Sequence, residues 1–414
     1  MGRQGRSVAE PATPLAQIAW LVLAAMPLML AFANRSSVLV LVIAALVAFV
    51  GAGLSQGLPV VVEHLRGIVR SPFGLLFLAF LLLALASLTW AHDRPRSAFA
   101  LAEAFIPALA AIALGAALPR QPERRAVPML MLCLALAAIE VFVELITRLA
   151  WREALGLRAT YFITNKPVLA LVLLYWPLVP LTKGMARRWL LLAALAGVIA
   201  VTVFTSVSGT AMCALVSAAA AFVLALVAPR TARWAVMLAV AASLLVAPLK
   251  GELASRLIPD RALDALQSLH ARDRVNIWLS FGEVVAQRPL TGTGFGSSAV
   301  VVRDPVASEV AADRRTLLDV GHPHDMFLQV WAELGMIGAA LVGAALVVLW
   351  RTLARLGREQ HAAGLAVTAA ALMIALVGHG AWQGWWIAVA GAAVLWLWAR
   401  PPVGGPVVHE EGAR

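Results

Sequence analysis

The chain has 414 residues, 62% hydrophobic and 13% charged, with a formal net charge of +11. A soluble globular domain carries roughly 25% charged and about 45–50% apolar residues, so a water-soluble fold is excluded and bilayer lipid is the solvent that fits. The basic residues are dispersed over many short loops with no basic stripe, which excludes nucleic acid as a partner.

A helix needs about 20 apolar residues to cross the hydrocarbon core. Runs of that kind predict twelve spans: 15–33, 36–54, 73–90, 98–118, 127–149, 166–182, 188–206, 208–228, 232–249, 326–350, 362–380 and 384–399. The expected fold class is therefore all-α, a polytopic integral membrane protein with one large loop carrying short helices. Arg3 and Arg6, an apolar run and Ala31-Phe32-Ala33 have the layout of a secretory signal. Retention is expected, because a second apolar run follows almost at once. Pro167, Pro177 and Pro180 sit in the 166–182 run. Such prolines are tolerated where neighbouring groups re-satisfy the freed backbone.

Cys133 and Cys213 lie inside apolar runs without a CxxC partner, and read as packing residues. Glu103, Glu140 and Glu144 fall within spans, where a carboxylate belongs in a bundle interior. Glu140 and Glu144 share a helix face at i,i+4 spacing, and arginines near a site are their expected partners.

Lys and Arg alternate between the two sets of short loops. One set holds Arg3 and Arg6, Arg66 and Arg70, Arg120, Arg124 and Arg125, Lys183, Arg187 and Arg188, Arg230 and Arg233, Arg351, Arg355 and Arg358, and Arg400. The opposite set is sparse. Cytoplasmic loops carry the excess, so both termini are expected inside. The expected organisation is nine spans over 1–249, a periplasmic catalytic loop over 250–325, three spans over 326–400 and a cytoplasmic tail over 401–414.

A loop of that length is either functional or disordered, and this one has order signals. Asp273 to Gln287 has apolar residues at helical spacing, ended by Arg288-Pro289. Leu257 to Leu269 reads as a second short amphipathic helix. In Gly292-Thr293-Gly294-Phe295-Gly296, a phosphate cradle and a structural turn are both open. A dinucleotide fingerprint is not, because Ser297 stands where a third glycine would fall. In His322-Pro323-His324-Asp325 the histidines read as interfacial hydrogen-bonding groups, as metal ligands lacking a carboxylate or cysteine set, or as a general base.

Four stretches together resemble the O-antigen ligase and polymerase superfamily. They are Arg274 to Trp278 (R-x-x-x-W), Pro289 to Gly296 (P-x-x-G-x-G-x-G), His322 to Gln329, and Glu333 to Gly338 (E-x-G-x-x-G). Leu88-Thr89-Trp90-Ala91-His92-Asp93 is similar to the family's short tryptophan segment. The resemblance implies a GT-C-like, metal-independent, inverting glycosyltransferase without a cofactor. Its donor would be an undecaprenyl-diphosphate-linked glycan, its acceptor lipid A–core or another glycan, and its location the bacterial inner membrane. His324 matches the family's histidine, taken as the base, and Arg274 its arginine, taken as the diphosphate clamp. Asp325 stands where the family usually has Asn and could orient an imidazole. Where the family often shows Ser-Arg-Gly or Ser-Arg-Thr, this chain has Ser208-Gly209-Thr210, so the arginine is missing. Arg158 and Lys166 are the suggested substitutes, and Arg272, His322, Asp325 and Arg288 complete the expected substrate-binding set.

An O-antigen ligase is the leading function. A polymerase or protein O-oligosaccharyltransferase of the same superfamily is the alternative. A transporter is the competing class, but the chain shows no internal repeat of the kind transporters carry.

Overall fold

The computed structural model describes residues 13–265 and 271–401, and no strand occurs among them. Arg3, Arg6, residues 402–414 and part of the expected Leu257–Leu269 helix lie outside them. The all-α, polytopic architecture is as expected. Eight helices are long and apolar enough to cross a membrane: α3 (Ser36–Ser55), α6 (Arg94–Ala117), α7 (Ala126–Ile146), α11 (Arg188–Thr205), α12 (Gly209–Val227), the run of α13 (Pro229–Val246) into α14 (Lys250–Leu257), α18 (Met326–Leu353) and α19 (Arg358–Val377).

Two more are bent pairs, α1 (Pro14–Ala24) with α2 (Met26–Phe32) at 45°, and α4 (Leu58–Arg70) with α5 (Pro72–Ser87) at 78°. The described residues thus supply eight spans, or up to ten, against the expected twelve. The remaining two expected spans are shorter apolar helices, α9 (Asn165–Tyr175) with its preceding turn and α20 (Gly384–Trp398). Proline is the reason at α9. Pro177 and Pro180 divert the chain into the single turn of α10 (Leu178–Leu181), since a proline ring cannot continue the i→i−4 ladder.

Residues 58–70 carry no expected span, yet they form α4, with apolar residues at 58, 61, 62, 65, 68 and 69. Glu140 and Glu144 both pair with Arg152 of α8 (Ala150–Ala154), whose guanidinium also donates to the Ala31 carbonyl at 2.9 Å. The expected ion pair therefore exists, with an arginine that the sequence did not single out.

Among the described residues, 250–325 hold α14, α15 (Asp260–Ala265), α16 (Ala271–Gln287), three 3₁₀ segments and α17 (Ala312–Arg315). The expected 273–287 helix is α16. It buries Val275, Ile277, Trp278, Phe281, Val284 and Val285, so its apolar stripe packs the loop onto the bundle.

The expected span 326–350 is not continuous. At Gly335 the backbone turns to φ 60°, ψ −156°, breaking α18. The groups freed by the break are paired by the segment after Pro289. Thr293 and Gly294 N–H donate to the Ala332 and Glu333 carbonyls, and Met336 and Ile337 N–H donate to the Pro289 and Leu290 carbonyls. Irregular backbone at membrane depth is tolerated only where protein satisfies it. The glycines of both motifs thus serve one joint. A Cβ at Gly292 (φ +63°) would lie 2.3 Å from the Glu333 carbonyl carbon.

Gly292→Ala should therefore cost at least about 3 kcal/mol of stability, among the larger single-substitution effects. Gly156→Ala, at φ +65° but with nothing within 4 Å of the new Cβ, should cost about 1 kcal/mol from backbone strain alone. Thermal unfolding of both variants in detergent decides the point, and equal shifts would refute the packed joint.

Candidate active site

α18 and its N-cap present three polar side chains one turn apart, Asp325, Gln329 and Glu333, all buried. Residues at i and i+4 share a helix face, so the three form a stripe. Glu333 is wholly buried, and its carboxylate accepts from Gly296 N at 2.5 Å, Ser298 N at 3.2 Å, Gln329 Nε2 at 2.9 Å and Trp382 Nε1 at 2.5 Å. The glycine-rich segment is thus an anion cradle whose anion is the protein's own carboxylate. Of the two sequence readings, the structural turn holds and the phosphate cradle does not. Phe295 N donates to Ser87 Oγ at 2.9 Å, which docks the tryptophan segment beginning at Leu88 against the same loop.

Gln329 Oε1 accepts from Ala381 N at 2.8 Å. With the Trp382 bond, this fixes the turn between α19 and α20. That turn carries Gly378, whose carbonyl faces His324 Nδ1 at 3.1 Å. A carbonyl can only accept, so Nδ1 carries the proton and Nε2 of the neutral ring holds the lone pair. His324 adopts φ 51°, a left-handed conformation in which histidine is enriched among non-glycine residues. His324 N–H donates to His322 Nδ1 at 3.2 Å, and the two rings lie 4.2 Å apart.

Burial lowers the His324 pKa, and the nearby charge of Arg274 lowers it further, against the opposing Gly378 bond. Burial chiefly, with His324 and His379, pushes His322 down to about 3. Burial, with Lys166 and His324, pushes His379 down to about 4. All three rings are therefore neutral near pH 7.

Arg274 and Trp278 lie one turn apart on α16. Trp278 Nε1 donates to the Pro323 carbonyl at 3.1 Å, which sets α16 against the His322–Asp325 loop and brings Arg274 close enough to act on His324. Arg274 is half-buried, and burial lowers its pKa. It also lies near Cys213 of α12, one turn beyond Gly209. Among the described residues no carboxylate pairs with Arg274.

The other expected substrate ligands are distributed differently. Lys166 lies 5.6 Å over the Trp385 ring, and His379 stacks edge-on against the same ring at 5.0 Å. Both border the centre. Arg272 is exposed and tied to Asp260 and Asp264 at 3.0 and 2.8 Å. Arg288 lies 4.0 Å from Asp304, and Arg158 is exposed on the segment after α8. The geometry brings none of these three to His324.

Asp325 does not orient the imidazole. Its Oδ1 caps α18 by accepting from Phe327 N and Leu328 N at 2.9 Å, and its Oδ2 pairs with Lys250 at 2.5 Å. A carboxylate one residue before a helix is drawn to the free N–H groups of the first turn, and Gly378 takes the orienting role. His379, Gly378 and Lys250 escaped the sequence reading. The available signal was a histidine between two glycines at a span end.

The depressed histidine pKa values fix a pH dependence. In the unfolded chain the His322 and His379 rings take up protons near pH 6.5, and in the folded chain only at about 3 and about 4. The unfolded state binds more protons in that window, so stability is full above pH 6.5 and falls as pH drops towards 4. Thermal unfolding from pH 7 to 4.5 should show this decline, flattened in the His322→Gln/His379→Gln variant. An unchanged slope in that variant would refute the buried neutral rings.

Residues 192–343 match the O-antigen ligase family. A protein of Rickettsia bellii (strain RML369-C) named "Putative polysaccharide ligase" is 29% identical over 148 residues, covering 35% of this chain and 36% of that relative. The chain thus spans about a third of the length of the curated relative it matches. The matched region runs from α11 through α12, the long loop and both sides of the α18 break, so Arg274, His324 and Glu333 all fall within the stretch that is similar to the O-antigen ligase family.

Proposed function

We propose that the chain is an O-antigen ligase of the bacterial inner membrane. In this reading it transfers a glycan from undecaprenyl diphosphate to a sugar hydroxyl of lipid A–core at the periplasmic end of the bundle. One observation carries the proposal. A neutral histidine, its Nδ1 anchored on Gly378, sits within electrostatic reach of a half-buried arginine that no carboxylate among the described residues neutralises.

The chemistry follows from those two groups. The acceptor oxygen attacks the anomeric carbon while its proton passes to His324 Nε2. The anomeric bond to the diphosphate breaks on the opposite face, inverting the centre, and the electron pair leaves with the diphosphate. Arg274 stabilises the charge that develops there, where a planar guanidinium can bind two phosphoryl oxygens. The fixed Gly378 bond keeps the ring in the tautomer that can accept a proton. Lys166 and His379 border the same centre and extend its positive field. No described group of three or more His, Cys, Asp or Glu residues is placed to hold a metal, and the proposed steps need only the residues named.

A deletion strain complemented with His324→Ala should lose glycan-capped lipopolysaccharide while carrier-linked polymer accumulates, with transfer reduced at least about 100-fold. Arg274→Ala should lose a comparable factor, and Arg274→Lys only part of it, because an ammonium lacks the planar fork. A retained single-unit band in the deletion strain would indicate a polymerase. Full activity of His324→Ala would refute the base. Because the His324 pKa is lowered, the acid limb of the rate profile should lie below pH 6.5.

A further inference from the structure

Lys250 opens α14, and its ammonium makes three contacts. It donates to Asp325 Oδ2 at 2.5 Å and to the Leu376 carbonyl at 3.2 Å, and it lies 3.8 Å over the Trp278 ring. Each contact reaches a different segment around the base. Asp325 follows His324 in the chain. Leu376 lies two residues before Gly378, whose carbonyl holds Nδ1. Trp278 stands one turn from Arg274 and holds the Pro323 carbonyl.

The pairing is closely constrained. The Asp325 side chain is wholly buried and the Lys250 side chain is 21% exposed. Oδ1 is committed to the first turn of α18, which leaves Oδ2 to the ammonium. An ammonium offers three rotatable donors on a compact charge, and it can also lie on an aromatic face. That combination lets one side chain join a carboxylate, a carbonyl and an indole arriving from three directions.

We propose that Lys250 is a positioning residue: by joining Asp325, Leu376 and Trp278 it holds the His324 imidazole in register with the Arg274 guanidinium. The proposal takes His324 as the base of the preceding reading. Lys250 touches no reacting atom and acts through the three segments. Without it, Asp325 is buried with no cation and the turn carrying Gly378 loses its tie. The imidazole then loses its fixed distance from Arg274. A displacement of about 1 Å at a reacting group can lower a rate about 100-fold.

An ion pair that serves stability alone predicts a different outcome, namely less folded protein but full activity in each folded molecule. The test uses the full chain purified in detergent, with the folded fraction taken from gel filtration. Two quantities are read on that fraction. The first is turnover of a lipid-linked glycan donor. The second is the rate at which diethyl pyrocarbonate modifies His324 at pH 7, resolved from His322 by peptide fragmentation.

For Lys250→Met, kcat should fall about 100-fold with KM for the donor within about threefold. His324 should be modified several-fold faster, because its ring is no longer pinned. Lys250→Met/Asp325→Asn removes the buried charge and keeps the helix cap. It should recover about tenfold in kcat yet stay about tenfold below wild type, since the tie to Leu376 is still absent. Wild-type kcat and an unchanged modification rate in folded Lys250→Met would overturn the proposal. If that variant does not fold, wild-type values in the double variant would overturn it equally. The modification rate needs no glycan substrate. A wild-type chain that transfers no glycan therefore defeats the ligase reading, while the rate comparison still decides the role of Lys250.

Discussion

The Glu333 carboxylate is the interaction on which the rest of the site depends. A charge taken out of water costs several kcal/mol even after relaxation, and the cost is met only by dense hydrogen bonding. Here four donors converge on the two oxygens. Two come from the backbone of the glycine-rich loop, one from the preceding turn of the helix, and one from Trp382 beyond α19. A single buried carboxylate thus ties two remote segments to the broken part of α18. Removing any donor leaves the carboxylate less compensated, so the segments are fixed jointly.

From that joint the geometry passes one turn at a time towards His324. Gln329 bridges Glu333 to Ala381, and Asp325 closes the stripe at the mouth of the helix. The turn so held delivers the Gly378 carbonyl to His324 Nδ1. The functional result is a choice of tautomer, and it is made by backbone where a carboxylate would have raised the ring's basicity. Burial and Arg274 depress the pKa instead. In the proposed reaction such a base is available near neutral pH but weak, which shifts the demand onto stabilising the leaving group.

The sequence made most of this legible at the level of elements. Apolar runs of membrane length located the helices, because lipid leaves few alternatives to a helix. The R-x-x-x-W spacing anticipated that Arg274 and Trp278 share a face, since four residues make about one turn. The break at Gly335 was not legible: Glu333-Leu334-Gly335 in an apolar run reads as a continuous span until the partner segment after Pro289 is placed beside it. Long-range partners were lost for the same reason. Asp325 could be read as an imidazole partner only while Lys250, 75 positions away, was unplaced. Arg272 and Arg288 were likewise read without their carboxylate partners Asp260, Asp264 and Asp304.

The pattern of paired and unpaired cations is the remaining constraint. Among the described residues, Lys250 has Asp325, Arg152 has Glu140 and Glu144, Arg272 has Asp260 and Asp264, and Arg188 has Glu359. Arg314 likewise pairs with Glu283. Arg274 is half-buried without such a partner, and burial already lowers its pKa. A guanidinium kept partly out of water next to neutral histidines is a destabilising arrangement for the empty protein. An anionic group arriving beside it removes that destabilisation and relieves His324 of the charge that weakens it as a base. In the proposed reaction, the diphosphate bound there would be both the leaving group and the charge that makes the imidazole more basic.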